Sequence, residues 1–81
     1  MRVKVRLFAE FKRLTGAESF VVEVSEKATV GEVLEVVWTK YPALRGFARS
    51  TLVAKGMEFA EPAEPVSEDD EISLMPPVMG G

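Results

Sequence analysis

The sequence predicts one α+β domain, in which a single main helix packs against one face of a β-sheet. Three observations favour this fold class. Apolar and polar residues alternate at the start of the chain and again over residues 71–75, which is typical of half-buried strands. An apolar stripe at helical spacing lies between them. The 81 residues are 47% apolar, which suits one packed domain with no room for a second.

The first predicted strand is RVKVRLFA, residues 2–9. One of its faces carries Val3, Val5 and Leu7. The other face carries Lys4, Arg6 and Phe8. Phe8 is therefore a large apolar residue on the side expected to face solvent. EFKRLTG follows as a short helical turn with Gly16 as its C-cap. SFVVEV, residues 19–24, is a second strand, so this part of the chain forms a hairpin with a wide loop.

The main helix is predicted over Val30 to Lys40. Thr29, with Glu32 three residues later, is a capping box that marks its start. Pro42 stops it, because proline lacks an N–H and biases the preceding residue away from helical geometry. The apolar stripe that would face the sheet consists of Val30, Val33, Leu34, Val37, Trp38 and Tyr41.

The second half of the chain predicts a strand, a turn at Lys55-Gly56 and a short strand from Met57 to Phe59. Residues 61–70 are polar and contain two prolines, so we expect a surface loop there. EISLM, residues 71–75, is the last strand. We expect it to lie beside the first strand at the centre of the sheet, where it would anchor the segment that follows.

Charge and composition argue against several classes of function. The net charge of −3 and the absence of a basic stripe disfavour nucleic acid as a partner. Cysteine and histidine are absent, which excludes disulfides, thiolate nucleophiles and Cys/His zinc sites. The acidic run at residues 68–71 lacks the spacing of a calcium loop. We therefore expect no bound metal or cofactor. We also expect no membrane association and a soluble, cytoplasmic protein, because no signal peptide or long apolar run is visible.

The chain ends in LMPPVMGG, residues 74–81. A proline pair offers no N–H for strand pairing and holds a chain extended. Glycine has no Cβ, so a final Gly-Gly could enter a narrow channel and place its carboxylate inside another protein. We predict a folded body over residues 1–75 and an extended tail over residues 76–81. The tail-threading residues would be Pro76, Pro77, Val78, Met79 and Gly80.

Three segments together resemble the molybdopterin synthase small-subunit family of ubiquitin-like β-grasp sulfur carriers. These segments are VKVRLFAEFKRLTG near the start, the Thr29-Val30 helix opening, and EDDEISLMPPVMGG at the end. The resemblance implies a β-grasp fold with a mixed sheet. It also implies that an ATP-dependent activating enzyme adenylates the Gly81 carboxylate, which is then converted to a thiocarboxylate. The protein would not be an enzyme by itself, since the catalytic pocket lies on the large subunit.

Partner binding should involve exposed apolar residues near the root of the tail. The candidates are Phe8, Phe59 and Met75, although Phe59 could equally belong to the core. The partners that the resemblance implies are the large synthase subunit and the ATP-dependent activating enzyme. Three other functions stay open from the sequence: a ubiquitin-like protein modifier, a sulfur carrier for thiamine or tRNA thiolation, and a β-grasp binding module with an idle tail.

Overall fold

The structure, a computed structural model, describes residues 1–77. Val78, Met79, Gly80 and Gly81, which hold most of the predicted tail, lie outside the described residues. The strands are β1 (Arg2–Leu7), β2 (Ser19–Glu23), β3 (Leu52–Lys55), β4 (Glu58–Phe59) and β5 (Glu71–Met75). The helices are α1 (Glu10–Thr15), α2 (Val30–Lys40) and a 3₁₀ helix (Pro42–Phe47).

The five strands form one mixed sheet in the order β2-β1-β5-β3-β4. β1 and β5 are parallel at its centre, and every other neighbouring pair is antiparallel. The expected position of the last strand beside the first is thus confirmed. The ladder extends beyond β1, since the Phe8 N–H donates to the Leu74 carbonyl at 3.2 Å. Hydrogen bonds on both sides of β5 therefore hold the chain up to the end of this strand.

The core lies between α2 and one face of the sheet. α2 has the predicted bounds, and its start is capped by Thr29, whose Oγ1 accepts from the Glu32 N–H at 3.3 Å. Six sheet side chains beneath it are at most 4% exposed, because they alternate inward along three strands. They are Val3, Val5, Leu7, Val22, Ile72 and Leu74.

Two glycines adopt the left-handed backbone conformation that their turns require. Gly16 ends α1 with φ 72°, and its N–H donates to the Lys12 carbonyl at 2.9 Å. Gly56 has φ 64° in the β3–β4 turn. That turn also includes Met57, so β4 begins one residue later than the sequence indicated.

One element was not predicted from the sequence, the 3₁₀ helix that follows α2. It contributes Leu44, which is fully buried, and Phe47, whose ring stacks edge-on to Phe11 at 5.5 Å. Its six residues are too few for a periodic pattern, so its apolar side chains were not assigned to the core. Among residues 1–77, no helix has the length and apolar character needed to cross a bilayer.

Candidate functional site

The face of the sheet that α2 leaves uncovered carries a row of apolar side chains at the end of β5. Leu52 of β3 pairs with Met75 of β5. Leu7 pairs with Leu74 on the other side, so Phe8 follows in register beside Met75. Because paired residues in neighbouring strands point to the same face, Phe8, Met75 and Leu52 form one row.

Phe59 extends this row into a patch. Phe59 pairs with Ala54, and Ala54 pairs with Ser73. Ser73 lies between two buried residues of β5, so its side chain is on the open face. Phe59 therefore lies on the open face, with 73% of its surface exposed, and is not part of the core. We define the apolar patch as Phe8, Leu52, Phe59 and Met75. The structure thus brings together all three of the sequence-predicted partner-binding residues.

Leu52 was missed at the sequence level. It is 39% exposed, close to the 37% of Phe8, and directly opposes Met75. The TLVAK segment alternates too briefly to show which of its faces is buried. The missing information was the register between β3 and β5, which pairs Leu52 with Met75 from a distant part of the chain.

Charged groups of β1 border the apolar patch. The Arg6 guanidinium lies over the Phe8 ring at 5.4 Å from its centre. Lys4 Nζ and Arg6 Nη1 are each 3.7 Å from the Glu71 carboxylate. These ion pairs are solvent-exposed, so they contribute little to stability and make the border of the patch polar.

The clearest shift in pKa lies on α1, away from the patch. A hydrogen bond from the Arg13 guanidinium lowers the pKa of Glu10, and the same hydrogen bond raises the pKa of Arg13. Arg13 Nε donates to Glu10 Oε1 at 2.7 Å. Within residues 1–77, no cluster of carboxylates could hold a metal ion, and no buried polar side chain lacks a partner.

The chain leaves the sheet beside the apolar patch. Met75 belongs to both β5 and the patch, and Pro76 and Pro77 follow outside any strand. Since neither proline has an N–H, strand pairing stops there. A partner that covers the patch would therefore also meet the segment that begins at Pro76.

The strand order, the parallel pairing of first and last strands and the single packed helix define a ubiquitin-like β-grasp domain. This confirms the fold that the sequence implied. The chain belongs to the ThiS family, whose pattern matches residues 5–81.

Three similar proteins show the range of this resemblance. The molybdopterin synthase sulfur carrier subunit of Caenorhabditis briggsae is 31% identical, over 98% of this chain and 96% of the relative. The crystal structure of SAMP1, a small archaeal modifier protein from Haloferax volcanii, superposes with a TM-score of 0.88 at 30% identity and covers both chains fully. A complex of subunits 1 and 2 of molybdopterin-converting factor from Helicobacter pylori contains a chain with a TM-score of 0.71 at 26% identity, also over both full chains.

Proposed function

We propose that this protein is the sulfur-carrier subunit of a molybdopterin synthase and that Gly81 supplies the reactive carboxylate. The main support is the position of the apolar patch where β5 releases the chain toward Gly81. The family match through residue 81 and the sulfur carrier subunits among the relatives add to it. The protein would act in the cytoplasm, where its activating enzyme finds ATP.

The proposed chemistry overcomes the poor reactivity of a carboxylate. The activating enzyme joins the Gly81 carboxylate to AMP and releases pyrophosphate, which gives an acyl-adenylate with a good leaving group. Sulfur from a separate donor then displaces AMP, and Gly81 becomes a thiocarboxylate. In the large subunit this sulfur forms a C–S bond to a cyclic pyranopterin precursor, in place of an oxygen substituent. Water then hydrolyses the bond between the Gly81 carbonyl carbon and the sulfur, so the sulfur stays on the pterin and Gly81 leaves as a carboxylate that can be charged again. A second charged chain supplies the other sulfur of the dithiolene.

The fold would serve this chemistry by presenting Gly81 to the large subunit. The apolar patch docks on the large subunit, and the proline pair directs the following residues away from the sheet. The small tail residues Gly80 and Gly81 then fit a narrow channel. The Helicobacter pylori complex of two converting-factor subunits supports a large-subunit partner for this chain. On this proposal the protein binds no cofactor itself.

A second candidate function is a ubiquitin-like modifier that links Gly81 to lysines of other proteins. The observation in its favour is the full-length likeness to SAMP1 at a TM-score of 0.88. Both functions begin with the same activated carboxylate, so they differ in the acceptor. A sulfur carrier for thiamine or tRNA thiolation is a third use of that carboxylate.

The test is intact-mass analysis after incubation with the activating enzyme, ATP and a sulfur donor. We expect the parent protein to gain the mass difference between sulfur and oxygen at Gly81, and a Gly81→Val variant to gain nothing. Gly46→Ala is the matched control, because Gly46 is exposed and a Cβ there meets no atom within 4 Å. It should be charged like the parent.

The charged protein is then mixed with the large subunit and the pterin precursor. Formation of the dithiolene product with return of the carboxylate mass supports the sulfur carrier. Covalent ladders on cell proteins, without product, would support the modifier instead. Equal product from Gly81→Val would refute both, since each needs the same carbonyl carbon.

A further inference from the structure

β2 is an edge strand, and its hydrogen-bonding register with β1 is fixed at both ends. Beyond one end of β2, the Val24 N–H donates to the Met1 carbonyl at 2.9 Å, and the Met1 amino group donates to the Val24 carbonyl at 2.6 Å. Beyond the other, the Leu7 N–H donates to the Glu18 carbonyl at 2.9 Å. Hydrogen-bonded pairs alternate along an antiparallel ladder, so these two pairs decide which residues of β2 bond to β1.

The backbone groups that point away from the sheet belong to Ser19, Val21 and Glu23. Phe20 and Val22 fall in hydrogen-bonded register with β1, and the other three residues alternate with them. No hydrogen bond recorded among residues 1–77 uses the outward N–H or C=O groups of these three. Val21 adds an exposed β-branched side chain, 48% accessible, at the middle of this edge. The edge can therefore pair with another extended chain.

A groove runs beside this edge, between the end of β2 and the first turns of α2. Its volume is about 440 Å³, and the partly buried Val24 and Val36 are among the residues that line it. A second hollow of about 380 Å³ shares Val36 and continues along α2 to Lys40. The groove thus runs along α2 and meets the unpaired edge at Glu23, the end of β2.

Acidic side chains border the groove on both sides. Glu23 lies at the end of β2, and Glu32 and Glu35 lie on α2. Glu35 is paired with Arg45 at 3.7 Å, whereas no ion pair recorded within residues 1–77 involves Glu23 or Glu32. This border favours a positively charged group beside Glu32.

We propose that the β2 edge and this groove bind an extended, basic segment of a partner protein. The segment adds as a sixth strand beside β2, places an apolar side chain against Val24 and Val36, and sets a Lys or Arg next to Glu32. An extended backbone is the occupant that satisfies three outward N–H and C=O pairs at once. The Glu23 and Glu32 carboxylates then select a basic sequence.

This second binding surface is separate from the apolar patch. Val21 lies in one row with Lys4 and Glu71, whereas the patch occupies rows nearer the end of β5. A partner on each surface could therefore bind at the same time. The proposal does not depend on the chemistry of Gly81, and it holds for a sulfur carrier or a modifier alike.

The test is a titration of the full-length protein with a capped Lys-Val-Ile-Val-Lys peptide, followed through backbone amide signals. We expect saturable shifts at Ser19, Val21, Glu23 and Val36. Val21→Pro removes one outward N–H without removing a bond to β1, so the fold should survive. It should weaken binding about tenfold, since one hydrogen bond is lost and the peptide meets the proline ring. Val21→Thr, which keeps the N–H, is the matched control and should bind like the parent.

A second variant tests the role of the Glu32 charge independently of the strand edge. Glu32→Lys should weaken binding of the lysine peptide about fivefold at low salt, with the loss shrinking as salt rises. Glu58→Lys makes the same charge change at an exposed position of β4, the opposite edge of the sheet from β2, and should have little effect. A Glu-Val-Ile-Val-Glu peptide should instead bind the Glu32→Lys variant more tightly than the parent protein.

Several outcomes would overturn the proposal. These are shifts confined to the apolar patch, equal binding by Val21→Pro and Val21→Thr, or equal effects of Glu32→Lys and Glu58→Lys. Concentration-dependent shifts at Val21 without peptide, together with a dimer in sedimentation, would also overturn it. That result would assign the β2 edge to a second copy of this chain.

Discussion

The two faces of the sheet are made from the same strands yet have opposite character. On the face under α2, the side chains of β1 and β5 are almost completely buried. On the other face, β1 presents Lys4 and Arg6, and the strands end in the partly exposed residues of the apolar patch. Neighbouring residues such as Leu74 and Met75 therefore belong to different environments.

The difference separates stability from recognition. Burial of apolar surface is the main favourable term in folding, so the covered face supplies most of the stability of a chain this small. The open face contributes less, and its apolar side chains are available to a partner. A single strand can thus anchor the fold with one set of residues and bind with the alternate set.

The largest expected effect on stability comes from truncating one of two neighbouring residues on β5. Leu74→Ala should lower the free energy of unfolding by about 2–5 kcal/mol, since Leu74 is fully buried and its truncation leaves a cavity. Met75→Ala, one residue later, should cost about 1 kcal/mol or less, because Met75 is only partly buried. Urea unfolding measures both. Equal losses would contradict the division between the faces.

An intermediate effect is expected for binding. Phe8→Ala or Leu52→Ala should weaken association with the large synthase subunit by about 2 kcal/mol, roughly thirtyfold, as buried interface anchors do. Calorimetry with the purified subunits measures this. Met57→Ala is the matched control, because Met57 is fully exposed at the β3–β4 turn and lies outside the patch. Equal weakening by Met57→Ala would show that the patch is not the docking surface.

The smallest effect concerns the charges of the open face. Glu71→Gln removes the carboxylate shared by Lys4 and Arg6, but all three side chains are more than a third exposed. We expect a loss of less than about 1 kcal/mol in the free energy of unfolding, shrinking further at high salt. A loss comparable to that of Leu74→Ala would mean that the open face also holds the fold together.

Much of this arrangement could be predicted from local patterns. The alternation in β1 and β5 assigned each residue to a face, and Thr29 and Pro42 set the bounds of α2. Phe8 was a candidate because it interrupted a charged face. The 3₁₀ helix and Leu52 escaped prediction, since a six-residue helix and a four-residue strand hold too little periodicity to be assigned.

By itself, the sequence determined the strands and the two α-helices, the buried face of each clear strand and the Gly-Gly segment, because these depend on residues close together in the chain. Only the tertiary structure decided that Phe59 is exposed, that Leu52 opposes Met75, and that the outer edge of β2 lies beside a groove. The physical reason is that strand order and register arise from pairing between distant segments. Side-chain alternation fixes which face a residue takes but not which neighbour it meets.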